Sequence, residues 1–303
     1  MPAVAYGSLP RLRFLGTGAS VGVPSFFCDC PACQEALADP GFSRGASSLL
    51  IQSADPAAED GACFNTLIDT AQELRLQLLG AQVRTLDALV FTHEHNDHVS
   101  GLGVLEYYLR LQRAKPLPVY ASAIVIAYLE THFDFMIELL DLHEIKPFAG
   151  FSLGGLSYLP LTATHNKGCL GYLISVPGDA ASDPAAPAAA DPAAAPTAAP
   201  AAQRRCAYFP DSSRLSPPVQ DLVRGSDIII FDSTFNGDNW MPDVHMDIDS
   251  TMRYLCELDC RQGYLTHLAM SYDTPITAAE LQRRLAGFDP RLKMATDGLV
   301  VDL

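Results

Sequence analysis

Seven residues, Thr92-His93-Glu94-His95-Asn96-Asp97-His98, constrain this chain more than any other stretch of it. They follow residues 88–91, a short apolar run that reads as a buried strand. A strand ending in a tight loop can aim several side chains at one point. Four of the seven, His93, His95, Asp97 and His98, are metal-ligand types, and imidazole with carboxylate suits zinc, manganese or iron. Three of the 8 histidines fall in this loop, so a solvated loop that is histidine-rich by chance is a poor account. Four such groups exceed what one tetrahedral ion takes when further ligands arrive from elsewhere, so Asp97 and His98 point to a second ion.

Around this loop, apolar runs alternate with helical spacing. Residues 11–15, 47–52, 64–69, 172–176, 207–210, 228–232 and 264–268 read as strands, and 71–80, 101–113, 248–257 and 277–285 as helices. Residues 292–295 and 299–302 flank Asp297-Gly298, a hairpin turn signal. The period alone supports a mixed α/β class. Residues 177–203 are almost all Ala, Pro and Asp, with no hydrophobic period. Such a segment buries too little apolar surface to offset its ordering entropy, and its prolines oppose a helix. It reads as a flexible surface insertion inside one domain spanning 1–303.

Charge bears on partners. Lys+Arg number 20 and Asp+Glu 35, for a net charge of −15, so nucleic acid is a poor default partner. No apolar run is long enough to cross a membrane, and residues 1–10 lack a secretory pattern, so the expected location is the cytoplasm. Eight cysteines are present. Cys28, Cys30 and Cys33 are too close for an ordinary disulfide framework and read as thiolate ligands in a tight loop. Inert buried thiols are the alternative. Cys256 and Cys260 read as buried thiols on one helix face, while Cys63, Cys169 and Cys206 show no metal spacing. His132 and His143 read as structural residues of a helical and loop region.

The loop's His-x-His-x-Asp-His pattern resembles the metallo-β-lactamase superfamily. The resemblance runs from Phe14-Leu15-Gly16-Thr17-Gly18 to Asp297-Gly298-Leu299. It implies a four-layer αββα sandwich, a metal-dependent hydrolase activity and two divalent ions, zinc or manganese. It also implies three later ligands: His165 in Thr164-His165-Asn166-Lys167, Asp211 in Phe209-Pro210-Asp211-Ser212, and His267 in Leu265-Thr266-His267. On that pattern His93, His95 and His165 hold one ion, Asp97, His98 and His267 the other, and Asp211 bridges. Each of the late three has a plain reading as a strand-end polar group. Histidine rather than glutamate at position 95 argues against the diiron oxygen-reducing branch. Histidine rather than arginine at position 98 argues against the true β-lactamases.

Asp232, ending an apolar run, and His245, in the following loop, form a candidate catalytic pair with Asp97. The pair is similar to motifs of the phosphodiesterase branch, in which transfer-RNA 3′-processing enzymes and PhnP-like enzymes fall. His245 would donate a proton to the leaving oxygen and Asp232 would orient it; a loop histidine without a role is the alternative. Asp69 resembles a position that holds a metal-bound histidine from behind, with a helix N-cap as its plain reading. The cysteine run looks most like PhnP, where it carries a structural zinc. That family places a histidine three residues after the last catalytic histidine as the fourth ligand; here Met270 stands there. PqqB-like proteins share the cysteine run but generally lack an intact histidine cluster. The reading that follows is a binuclear phosphodiesterase for a small, cyclic phosphodiester; a homodimer is one assembly open to it, and the sequence does not fix the oligomeric state. A tRNase Z-like nuclease and a thioester hydrolase on the same fold are the alternatives.

Overall fold

The computed structural model describes residues 10–55, 62–176 and 204–303. The expectation for residues 177–203 lies outside the described residues, as does that for residues 1–9. The first sheet contains β1 (Arg11–Gly16), β2 (Ser48–Ala54), β3 (Cys63–Ile68), β4 (Ala88–Val90), β5 (Leu117–Ala121) and β6 (Leu140–Glu144). The second contains β7 (Phe151–Leu153), β8 (Leu156–Thr162), β9 (Leu170–Ser175), β10 (Arg205–Phe209), β11 (Ile228–Asp232), β12 (Gln262–Thr266) and β13 (Leu292–Met294). The last strand, β14 (Val300–Asp302), returns to the first sheet beside β1. The strand orders are β14-β1-β2-β3-β4-β5-β6 and β13-β12-β11-β10-β9-β8-β7.

The two sheets share one plan. β1, β2 and β3 pair antiparallel, then β4, β5 and β6 are added parallel. β8, β9 and β10 likewise pair antiparallel, then β11, β12 and β13 are added parallel. Parallel neighbours need a crossover, and helices supply most of them. α1 (Pro31–Ala38), α6 (Pro217–Val223), α7 (Ile248–Glu257) and α8 (Ala278–Phe288) cover the outer face of the second sheet. α2 (Leu74–Gly80), α4 (Glu106–Gln112) and α5 (Ala123–His132) cover the first, and the single turn α3 (Asn96–Val99) carries the ligand loop.

Strands covered on both faces read as continuous apolar runs. β11 shows why: Ile228 and Ile230 point between the sheets, while Ile229 and Phe231 pack under the helices. The inter-sheet core is closed by Phe14, Tyr158, Tyr172, Tyr208 and Tyr264. Helix starts are chemically marked. The Thr277 hydroxyl accepts from the Glu280 N–H at 3.1 Å, and Glu35 of α1 accepts from the Ala278 N–H at 2.6 Å, so α1 and α8 are joined at a helix end.

Several local readings need correction. Asp297-Gly298 is no hairpin: β13 and β14 lie in different sheets, and the turn carries the chain from one to the other. The turn residues are right, because Gly298 has φ 84°, but a turn signal cannot say which sheet receives the next strand. Cys33 lies in the first turn of α1, not in a loop, and Cys30 is the residue before that helix. Cys260 lies beyond the end of α7, so it shares no helix face with Cys256. Residues 101–113 form a 3-10 turn (Ser100–Leu105) followed by α4, and the helix over 71–80 begins only at Leu74. His143 stands on β6, not in a helix or loop.

Candidate metal centre

The predicted ligands converge at the carboxyl ends of the strands. His93 lies three residues past β4, His165 three past β8, Asp211 two past β10, and His267 directly after β12. Loop residues from separate strand ends can meet there because neighbouring strands finish at one rim. Asp69, after β3, and His267 both hold left-handed backbone, with φ 63° and 56°. Side chains other than glycine rarely adopt it, and here it turns each chain sharply inward from its strand. The loop after β4 is also held by the second sheet. Leu170 N–H donates to the Thr92 carbonyl at 2.9 Å, and the Tyr172 hydroxyl donates to the Phe91 carbonyl.

Asp211 stands in the middle. Its Oδ2 is 3.2 Å from His93 Nε2, 3.2 Å from His98 Nε2 and 3.8 Å from His165 Nε2. Its Oδ1 is 2.8 Å from His267 Nε2. Asp97 Oδ2 lies 3.6 Å from His98 Nε2 and 3.5 Å from His267 Nε2. His95, more exposed, turns Nδ1 to within 3.2 Å of His165 Nε2. The seven thus fall into two groups that share Asp211: His93, His95 and His165 on one side, and Asp97, His98 and His267 on the other.

Four of the five imidazoles, those of His93, His98, His165 and His267, are oriented from behind. Asp69 Oδ2 lies 2.8 Å from His98 Nδ1 and also accepts the Thr92 hydroxyl at 2.8 Å, so the Thr92 oxygen is left to accept from His93 Nδ1–H at 2.9 Å. On the opposite side the Thr234 hydroxyl donates to Asp232 Oδ1 at 2.7 Å and accepts from His267 Nδ1–H at 2.9 Å. The Val244 carbonyl accepts from His165 Nδ1–H at 3.1 Å. With Nδ1–H donated outward in all four rings, Nε2 is left as a lone pair facing inward. His93, His98 and His267 each have a buried Nε2, and Asp211 a buried Oδ1, without a proper hydrogen bond. Inward lone pairs surrounding a carboxylate are acceptors facing acceptors, and only cations or protons between them make the arrangement stable. The donor set therefore fits metal ions.

Electrostatics follow from the same crowding. Burial, together with the charge of His98, pushes His93 down to about 3. Burial also opposes the charged forms of His98 and His267. The surrounding carboxylates together outweigh it, Asp211 foremost, joined by Asp97 and Asp69 at His98 and by Asp97 and Asp232 at His267, lifting His98 well above the ordinary imidazole range and His267 to about 10. Asp97 and Asp211 are held below the usual carboxylate range despite burial, through His98 and His267.

Asp232 and His245 meet beside this centre. Asp232 Oδ2 lies 2.6 Å from His245 Nδ1 and accepts the Ser212 N–H at 3.0 Å. The His245 ring stacks on His267 with centroids 5.4 Å apart and lies 4.9 Å from His165. Asp232, His245, Asp211 and His267 are also close enough to form a ligand group. Asp232 is, however, already saturated by Thr234, Ser212 and His245, which marks it as an orienting carboxylate.

Asp69 begins no helix, since α2 starts five residues later; it acts on His98 and Thr92 instead. Sequence reasoning missed Thr92, Thr234 and the Glu94–Asn166 pair, in which Asn166 Nδ2 donates to Glu94 Oε1 at 2.7 Å and ties two ligand loops together. A hydroxyl between an aspartate and a histidine leaves no periodic signal; only adjacency to the ligands could have suggested it.

The three cysteine sulfurs lie within 4.8 Å of one another. Met270 takes no part: its sulfur accepts from the buried Arg44 Nε at 3.0 Å.

The family described as Beta-lactamase superfamily domain matches residues 63–268, more than half of the chain. Two packed sheets flanked by helices are the metallo-β-lactamase sandwich, a fold of mostly hydrolases that typically bind divalent metals. This chain belongs to that superfamily. It is similar to the octanoyltransferase of Porphyromonas gingivalis, 34% identical over 54% of this chain and 33% of that protein. It is also similar to coenzyme PQQ synthesis protein B of Rhodopseudomonas palustris, 28% identical over 42% of this chain and 40% of that protein. The chain therefore spans less than half the length of these two curated relatives. Among solved structures, a diphosphatase from the PhnP family superposes with a TM-score of 0.75 at 24% identity, covering 97% of each chain. Zn(2+)-bound PqqB from Methylobacterium extorquens gives 0.69 at 20%, covering 97% of this chain and 100% of that one. Human tRNase Z, short form, gives 0.59 at 17%, covering 96% and 98%. These structural likenesses speak for the fold.

Proposed function

We propose that this chain hydrolyses a small phosphodiester, a cyclic one among the candidates, with His93, His95, His165, Asp97, His98, His267 and the bridging Asp211 holding two divalent cations, zinc or manganese. When bound, such a pair supplies positive charge against the phosphate oxygens and makes water a competent nucleophile near neutral pH. The observation that carries the phosphodiester reading is the 2.6 Å contact between Asp232 and His245 beside the ligands. An alkoxide leaving from phosphorus needs a proton, whereas a thiolate needs one far less. With Nδ1 fixed on Asp232, His245 has Nε2 left to deliver that proton, and Asp232 orients the ring. Asp69 and Thr92, with Thr234 opposite, keep the ligand imidazoles in one tautomer, so the donors are in place before substrate arrives.

The net charge of −15 argues against a polynucleotide substrate. The decisive assay is hydrolysis of bis-p-nitrophenyl phosphate by chelated protein to which manganese or zinc is returned, beside thioester and RNA controls. Restored phosphodiester cleavage supports the reading. Cleavage of the thioester or of RNA alone would replace it with one of the other two activities. For the cysteine cluster we propose a structural zinc held by Cys28, Cys30 and Cys33, its fourth position filled by a group other than Met270. No helix among the described residues is long and apolar enough to cross a membrane.

A further inference from the structure

The loop between β11 and α7 presents the chain's single tryptophan to solvent, where Trp240 is 58% exposed. An indole left that open forfeits the burial its size would give. Its placement is firm. Asn239 Nδ2 donates to the His245 carbonyl at 2.8 Å, and Asn239 Oδ1 accepts the Met241 N–H at 2.8 Å, so both neighbours of Trp240 are tied down. The loop base is anchored too, because Asn236 Nδ2 donates to the Thr274 carbonyl at 2.8 Å.

Trp240 continues an aromatic line that starts at the metal centre. Phe235 lies 6.0 Å from His245, centroid to centroid, and 5.1 Å from Trp240. Tyr272 lies 5.9 Å from Phe235 and 6.5 Å from Trp240, and its ring is inclined by 30° to that of Trp240. Phe235 is buried behind, and Tyr272 and Trp240 form the outer wall. The wall thus adjoins the side from which His245 would protonate a leaving group.

We propose that Trp240 and Tyr272 stack a nucleobase carried by the leaving group, making the substrate a nucleoside phosphodiester with one base and one phosphate. The inference rests on the phosphodiester reading above. Three observations select this occupant. Phe235 packs against both His245 and the wall, so a group stacked on Trp240 and Tyr272 lies on the His245 side of the centre, where the leaving group would be. A base has a flat face on both sides and stacks on aromatic rings with no demand on sequence. Asp238 and Asp273, both exposed, stand two residues before Trp240 and one after Tyr272. They repel a second phosphate but accept the exocyclic amino hydrogens of a base.

The lone tryptophan makes the test direct. Adenosine, which has no phosphate to cleave, should quench the Trp240 emission saturably in the metal-loaded protein, while ribose should not. Adenosine 2′,3′-cyclic phosphate and methyl riboside 2′,3′-cyclic phosphate should then be compared as substrates. Trp240→Ala should lower the ratio of their kcat/KM values about tenfold, the size expected for one lost stacking contact. Trp240→Phe should keep most of that preference, and Tyr272→Ala should lose part of it. An unchanged ratio in Trp240→Ala, or emission indifferent to adenosine, overturns the proposal. If neither cyclic phosphate is cleaved although bis-p-nitrophenyl phosphate is, the nucleoside substrate is overturned; if bis-p-nitrophenyl phosphate also survives, the phosphodiester reading fails by itself, and adenosine quenching still decides whether the wall binds a base.

Discussion

At the scale of single residues, the centre is a set of imidazoles whose inward nitrogens are made available by what their outward nitrogens touch. This gives separable expectations. Asp69→Ala removes the carboxylate behind His98 and Thr92, and should weaken metal affinity about 10–100-fold in a competition titration while the far-ultraviolet spectrum is kept. His245→Ala should leave metal content intact and lower kcat by about 10²–10⁴ for a substrate with a poor leaving group. Loss of metal in His245→Ala would instead make His245 a ligand. The six-residue His-x-His-x-Asp-His pattern announces itself because four ligand types at one strand end have few other uses. His165, Asp211 and His267 were legible only through resemblance, since one polar group after a strand is ordinary. Thr92 and Thr234 were not legible at all: a threonine near a strand end has many roles, and the oxygen's double duty depends on tertiary placement.

At the scale of elements, the strands most visible in the sequence are those buried on both faces. β11 is a run of isoleucines and phenylalanine because each face meets its own core. Ile230→Ala opens a cavity between the sheets and should cost about 2–5 kcal/mol in urea unfolding. The stretch from β5 through β7 gave no clear reading, because its alternating partly exposed residues carry a weaker period. The β13–β14 turn was misread for a related reason: Gly298 fixes the local bend but not the sheet to be joined. The same corner holds a buried carboxyl. Asp297 accepts from the Gly45 N–H at 2.7 Å and from the Thr17 hydroxyl at 2.7 Å, yet burial raises it to about 6. A carboxyl whose folded value exceeds its unfolded value binds its proton more tightly in the folded chain, so it adds stability as pH falls from about 6 toward about 4. The unfolding free energy of the wild-type chain relative to that of Asp297→Asn should therefore rise as pH falls from 7 to 4.5, by on the order of 2 kcal/mol. A difference that does not vary with pH would show that Asp297 keeps an ordinary carboxylate value.

At the scale of the molecule, two sheets with one plan are stacked so that the carboxyl ends of strands from both deliver ligands to one rim. β4 brings His93, His95, Asp97 and His98 from the first sheet, and β8, β10 and β12 bring His165, Asp211 and His267 from the second. Neither sheet alone holds the complete candidate ligand set, so on the proposed reading metal uptake and correct stacking of the sheets are coupled. Chelation should accordingly lower the thermal midpoint and make it depend on free metal concentration. The sandwich was expected through the resemblance; period alone reached only a mixed α/β class, because pairing between distant strands leaves no local mark. The central claim is that these seven side chains hold two cations. Elemental analysis of the purified chain with Cys28, Cys30 and Cys33 replaced by Ser, after dialysis against manganese or zinc, tests it without the cysteine cluster. The account predicts two equivalents per chain, falling to one or none in Asp211→Ala; a chain that retains no transition metal would contradict it.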